Sequence, residues 1–152
     1  MSKIYLGGSC SSEQRTLMTN IASALRKTKY EVFCPFELNI PNAWDMSQEQ
    51  WSQKVFEKDL EEINKADIFL MITPGRISSA GTNWEQGYAY AKGKPVLVFQ
   101  ITEAPTSLMT YAGSSLFCNS TTRTVCGDIL KILAGYDQYV ALQKGPCSTT
   151  LT

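Results

Sequence analysis

The chain has 152 residues, with 14 Lys and Arg against 14 Asp and Glu, five cysteines and no histidine. The missing histidine excludes every mechanism whose base or ligand is imidazole, so acid–base work near neutral pH falls to a carboxylate, tyrosine, lysine or cysteine with a displaced pKa. Zero net charge with scattered lysines and arginines gives no field that would gather nucleic acid or anionic lipid, so neither a nucleic-acid polymer nor a membrane is expected as a partner.

With 43% hydrophobic residues, the length suits a single domain over residues 1–152 with one sizeable core. Cys10, Cys34, Cys118, Cys126 and Cys147 are odd in number and lack C-x-x-C spacing, which fits a reducing compartment. The start of the chain has no signal-peptide core and no stretch approaches membrane-spanning length, so a soluble, cytoplasmic protein is expected.

In chain order, Lys3 to Leu6 reads as a strand ending in the small-residue loop Gly7 to Ser12. Ser11 and Gln14 have capping-box spacing, and Leu17, Met18, Ile21, Ala22 and Leu25 recur at helical period. Tyr30 to Cys34 is a second strand, stopped by Pro35, and Phe36 to Asp45 an irregular loop. Ser47 and Gln50 open a helix predicted to run to Lys65. The unbroken apolar run Ile68 to Ile72 suits a central strand buried on both faces. A helix from Gly81 to Lys92 and a strand from Pro95 to Gln100 follow, then a turn-rich segment, Ser107 to Ser115. Leu116 to Cys118 is a short edge strand, Val125 to Ala134 a helix, and Gln138 to Thr152 a polar tail. The alternation predicts an α/β fold, a parallel sheet with helices on both faces. In such sheets ligands bind beyond the carboxyl ends of the strands, here after Leu6, Ile72 and Gln100.

Three residues near those ends invite chemistry. On the helix opened by Ser47, the apolar stripe is Trp51, Val55, Phe56, Leu60 and Ile63, while Glu57, Lys58, Glu61, Glu62 and Lys65 fall on the polar side. Asp59 lies within or at the margin of the stripe, so it is either hydrogen-bonded inside the structure or faces a polar cleft. Glu85 has two readings: Thr82 to Glu85 is a capping-box spacing, and the same position puts an ionised carboxylate at the crevice mouth, as attack on a sugar carbon requires. Tyr5 is a candidate through its closeness to the Gly7–Ser12 loop. That loop is either an anion-binding helix start or a plain tight turn, since it is neither G-x-G-x-x-G nor a Walker loop. Ser79 and Ser107 pass by themselves as ordinary loop residues.

Four segments in order resemble the nucleoside 2-deoxyribosyltransferase family, which includes relatives that hydrolyse nucleoside 5′-monophosphates. They are Lys3-Ile4-Tyr5-Leu6-Gly7; Val55-Phe56-Glu57-Lys58-Asp59-Leu60 running on to Ala66-Asp67-Ile68; Gly81-Thr82-Asn83-Trp84-Glu85-Gln86-Gly87-Tyr88-Ala89 with Gly93-Lys94-Pro95-Val96; and Ser107-Leu108-Met109. The resemblance implies a Rossmann-like, flavodoxin-like domain with five parallel strands. It casts Glu85 as the nucleophile at C1′, Asp59 as the group handling the base proton and Tyr5 as the residue orienting Glu85. It places Gly7, Gly8, Ser9, Asn39, Ser79, Gly81, Ser107 and Met109 against substrate. It implies no metal or organic cofactor, a nucleoside or nucleotide and a free nucleobase as partners, and a homo-oligomer, dimer or larger, with shared active sites that Ser107 enters from a neighbour.

The chain departs from the family pattern at two places. Transferases of the family carry an aspartate six residues before the nucleophile and an asparagine before Leu-Met, both holding the sugar 5′-hydroxyl; this chain has Ser79 and Ser107. The monophosphate N-glycosidases typically have serines there, binding the 5′-phosphate. On the other side, the loop lacks the arginine often found in those hydrolases, and Gly81-Thr82-x-Trp84-Glu85 is closer to the transferase wording. Transfer of 2-deoxyribose between bases is therefore the first expectation, hydrolysis of a nucleoside 5′-monophosphate the alternative, and a non-catalytic nucleotide sensor a third.

Overall fold

The apolar runs of the sequence become five parallel strands: β1 (Lys3–Gly8), β2 (Glu31–Phe33), β3 (Ile68–Thr73), β4 (Val96–Gln100) and β5 (Leu116–Asn119), in spatial order β2-β1-β3-β4-β5. This is the flavodoxin-like order of a doubly wound sheet. The computed structural model describes residues 2–9 and 11–142. The helices are α1 (Ser12–Arg26), α2 (Gln48–Lys65), α3 (Ala80–Ala91), α4 (Leu108–Ala112) and α5 (Val125–Leu142), with single 3-10 turns at Pro35–Glu37 and Ala43–Asp45 in the loop after β2.

Successive strand residues face opposite ways, and each side finds its helices. Ile4, Leu6, Leu70, Ile72, Leu97 and Phe99 pack on one face against Met18, Ile21 and Leu25 of α1 and Val125, Ile129 and Leu133 of α5. Tyr5, Phe69, Met71, Val96 and Val98 point the other way, against Ile63 of α2 and Ala89 of α3. Tyr5 therefore lies under α2 and α3, the helices that carry Asp59 and Glu85. The chain switches direction between β1 and β3, where Gly7 and Gly8 pair with Met71 and Ile72, and that switch point opens the crevice.

Several expectations are refined. The Ser47 and Gln50 box forms in both directions, at 3.1 and 3.0 Å. Ser11 caps α1 through the Gln14 backbone amide at 3.3 Å, but the Gln14 side-chain oxygen Oε1 makes no return bond, so only half of that box exists. The segment read as turns contains α4, whose N-cap is Ser107. Helix α5 runs eight residues beyond the expected Ala134, into part of the segment read as a polar tail; residues 143–152, with Cys147, lie outside the described residues, as does Cys10. Glu62, placed by pattern on the polar side of α2, is 4% exposed, with the ammonium groups of Lys3 at 2.5 Å and Lys58 at 2.8 Å. A helical wheel could not show that Lys3 waits beneath this face.

Candidate active site

Capping decides where Glu85 stands. Ser79, not Thr82, is the N-cap of α3, its hydroxyl accepting from the Thr82 amide at 3.2 Å. Glu85 thus falls in the second turn, outside the capping position and beyond the first turn where the helix dipole acts strongly. The capping reading of Glu85 is overturned. Burial pushes its carboxyl up to about 7, against an opposing effect of the Tyr5 hydroxyl, with the Asp59 charge adding to the rise.

Asp59 and Glu85 line one cavity of about 480 Å³ between α2 and α3, together with Trp51, Ser52, Val55, Phe56, Leu60, Ile63, Ala80, Gly81 and Trp84. Asp59 occupies the stripe margin that its spacing predicts, and burial alone raises its carboxyl to about 6. Trp51 and Phe56, expected in the core, are 46% and 45% exposed because they border this opening. Trp84 sits 5.4 Å from Phe56, ring to ring. The three rings make an aromatic frame that the sequence reading did not single out; the cue was Trp51 and Phe56 on the stripe that carries Asp59, and Trp84 next to Glu85.

Beneath the cavity, Tyr5 is fully buried between the rings of Phe33 and Phe69, each 5.4 Å away. Burial, then the charges of Glu85 and Asp59, drive its hydroxyl far above the ordinary tyrosine range, so it remains a protonated donor. Gly7 lies between Phe69 and Glu85: a Cβ there would crowd the Phe69 ring at 3.1 Å and touch Glu85 Oε2 at an ordinary 3.7 Å. Among the described residues, four buried side-chain oxygens lack a well-aligned hydrogen-bond partner, and three are Tyr5 Oη, Asp59 Oδ1 and Glu85 Oε2. The Tyr5 hydroxyl holds down the proton affinity of Glu85, yet Tyr5 Oη and Glu85 Oε2 are both left without a hydrogen-bond partner. Unmet polar atoms gathered at one point suit a site that completes its bonds with a ligand.

The other expected residues divide. Gly81 lines the cavity. Gly8 accepts from the Thr82 hydroxyl at 2.8 Å, which ties β1 to α3. Ser9 accepts from the Ser11 amide at 3.4 Å, folding the loop onto itself. Asn39 instead borders a separate cavity of about 510 Å³ with Lys54, Glu57 and Lys58 on the outer side of α2. Ser107 and Met109 border a third, of about 390 Å³, beside Gln86 and Tyr90 on the opposite face of α3. Within one chain they are not brought to Glu85, and Met109 is 83% exposed. Among the described residues, no group of three or more His, Cys, Asp or Glu is placed to hold a metal ion, and no helix is long and apolar enough to cross a membrane.

The arrangement can carry out nucleophilic displacement with proton transfer: a recessed carboxyl, a second carboxyl nearer solvent, and aromatic walls for a flat ring. A family model described as nucleoside 2-deoxyribosyltransferase matches residues 4–134. The structure of the 2-deoxyribosyltransferase from the psychrotolerant bacterium Bacillus psychrosaccharolyticus is 35% identical, with 76% of this chain and 85% of that chain covered and a TM-score of 0.68. The fold also recurs in the Clostridium botulinum CMP N-glycosidase BcmB, at 18% identity, 84% and 97% coverage and TM-score 0.60. It recurs in a conserved protein of Enterococcus faecalis V583, at 19%, 86% and 98%, and 0.59. No curated protein gives a significant match.

Proposed function

The chain belongs to the nucleoside 2-deoxyribosyltransferase family, and on that premise we propose that it moves 2-deoxyribose between nucleobases by double displacement. The observation that carries this reading is the pair of raised carboxyls, Asp59 and Glu85, in one aromatic-walled cavity above the Tyr5 hydroxyl. In the first half-reaction the Glu85 carboxylate bonds to C1′, the C1′–N bond breaks, its electron pair passes to the base nitrogen, and Asp59 delivers the proton. In the second, an incoming base attacks C1′, Asp59 takes its proton, and Glu85 leaves. The aromatic frame of Trp51, Phe56 and Trp84 stacks on the base, and the buried Tyr5 hydroxyl steadies the charge on Glu85.

The proton inventory supports this. Between about pH 6 and pH 7 the pair holds one proton, the number the chemistry needs. The resting order of the two values places that proton on Glu85; moving it to Asp59 costs about 1.4 kcal/mol per unit of difference, small beside an enzymatic barrier. Ser107 and Met109 serve a second copy of the chain in this reading, consistent with the exposed Leu108, Met109 and Tyr111 of α4.

A second reading, hydrolysis of a nucleoside 5′-monophosphate, is favoured by Ser79, which puts a hydroxyl and no negative charge at the start of α3. Chromatography of the protein with a deoxynucleoside and a different free base, beside a deoxynucleoside 5′-monophosphate alone, separates the two. Exchanged nucleoside supports transfer; base released only from the monophosphate supports hydrolysis; turnover of neither contradicts both. Ser79→Asp is expected to weaken monophosphate activity more than nucleoside activity, and equal effects would remove the phosphate reading.

A further inference from the structure

Gln100 ends β4 with a side chain 2% exposed and every polar atom used. Its amide nitrogen donates to the carbonyls of Thr102 at 3.0 Å and Ala104 at 2.6 Å, and its amide oxygen accepts from the Thr106 hydroxyl at 2.7 Å. One buried amide thus folds residues 101–106 into a tight knot. The knot grips the neighbouring loop between β3 and α3 at two points. The Arg76 amide donates to the Pro105 carbonyl at 2.7 Å, and the Thr102 hydroxyl donates to the Pro74 carbonyl at 2.5 Å. Gly75 lets the loops meet: its φ is +108°, and a Cβ there would lie 3.0 Å from the Pro105 oxygen.

The gripped loop ends at Ser79, whose hydroxyl is fixed against Thr82. We propose that Gln100 is a positioning residue for Ser79, fixing through Thr102 and Pro105 where that hydroxyl meets the 5′ end of the sugar. This rests on the reading that Ser79 contacts that end. A hydrogen bond weakens steeply with misalignment, so loosening the knot degrades recognition of the 5′ group while Asp59 and Tyr5, on other elements, and Glu85, in the second turn of α3, keep their places.

The test compares kcat/KM for a deoxynucleoside, its 5′-monophosphate and its 5′-deoxy analogue in four proteins: wild type, Ser79→Ala, Gln100→Leu and Thr102→Val. Thr102 is exposed and its substitution removes one of the two inter-loop bonds, so that variant keeps the test open if Gln100→Leu folds poorly. In the wild type, the better of the two 5′-substituted substrates is expected to exceed the 5′-deoxy analogue about tenfold, the worth of one hydrogen bond. Ser79→Ala should bring the ratio near one, Gln100→Leu to within about twofold of one, and Thr102→Val between these and wild type. A loss of stability alone would slow all three substrates equally and leave the ratio unchanged. Wild-type ratios in Gln100→Leu and Thr102→Val, beside a collapsed ratio in Ser79→Ala, overturn the proposal. A wild-type ratio in Ser79→Ala overturns the reading of Ser79 instead.

Discussion

The Thr82 hydroxyl donates to the Gly8 carbonyl at 2.8 Å. This one bond joins the strand that carries Tyr5 to the helix that carries Glu85, and Thr82 is buried. Thr82→Val keeps the shape and leaves the carbonyl unpaired, which costs about 1–2 kcal/mol. The urea midpoint should fall accordingly, and kcat should fall more than KM rises, because the change loosens Glu85 against Tyr5 and leaves the aromatic walls in place. An unchanged kcat would show that the bond serves the fold alone.

The rate should follow a narrow bell with limbs near pH 6 and 7, since the reaction needs one proton on the Asp59 and Glu85 pair. Asp59→Asn is expected to remove the alkaline limb and lower kcat/KM by about 10² to 10⁴ for a deoxynucleoside whose base is a poor leaving group. An alkaline limb that survives this substitution would assign the proton to another group.

Tyr5→Phe keeps the ring between Phe33 and Phe69 and removes the hydroxyl that lowers the proton affinity of Glu85. With the resting proton on Glu85, the alkaline limb should move upward and the maximum fall about tenfold, while the acid limb and the urea midpoint stay near wild type. An alkaline limb at its wild-type position would detach Tyr5 from Glu85.

Both carboxyls bind their proton more tightly in the folded chain than their ordinary values of 3.8 and 4.5. Their contribution to stability is therefore fullest below about pH 4 and is lost as pH rises through about 6 for Asp59 and 7 for Glu85. Between pH 5 and pH 8 the Asp59→Asn, Glu85→Gln double variant should lose less stability than wild type, by about 1–3 kcal/mol once solvent access is allowed for. Urea titrations at both pH values check this; parallel losses in the two proteins would contradict the raised affinities.

Much of this was legible in the residues because it follows from local pattern. Apolar runs and capping spacings located the sheet and α2, and the odd position of Asp59 on its stripe marked the cavity. What misled was also local. Thr82 to Glu85 fits a capping box, but the helix begins one turn earlier at Ser79, and capping depends on where the first turn closes. Glu62 has no wheel position that announces its pairing with Lys3, which is distant in sequence. Asn39, Ser107 and Met109 carried their expected roles through resemblance; their separate cavities follow from how loops cross α2 and α3, which spacing along the chain does not encode.

The central claim is a covalent bond between Glu85 and the sugar. Its most direct test is peptide mass analysis of the protein quenched during turnover of a deoxynucleoside, with Glu85→Gln alongside. The account predicts one deoxyribosyl group on the peptide containing Glu85 in the wild type, none in the variant, and loss of base exchange with it. Base exchange that proceeds with no adduct on that peptide, or that persists undiminished in Glu85→Gln, would contradict it.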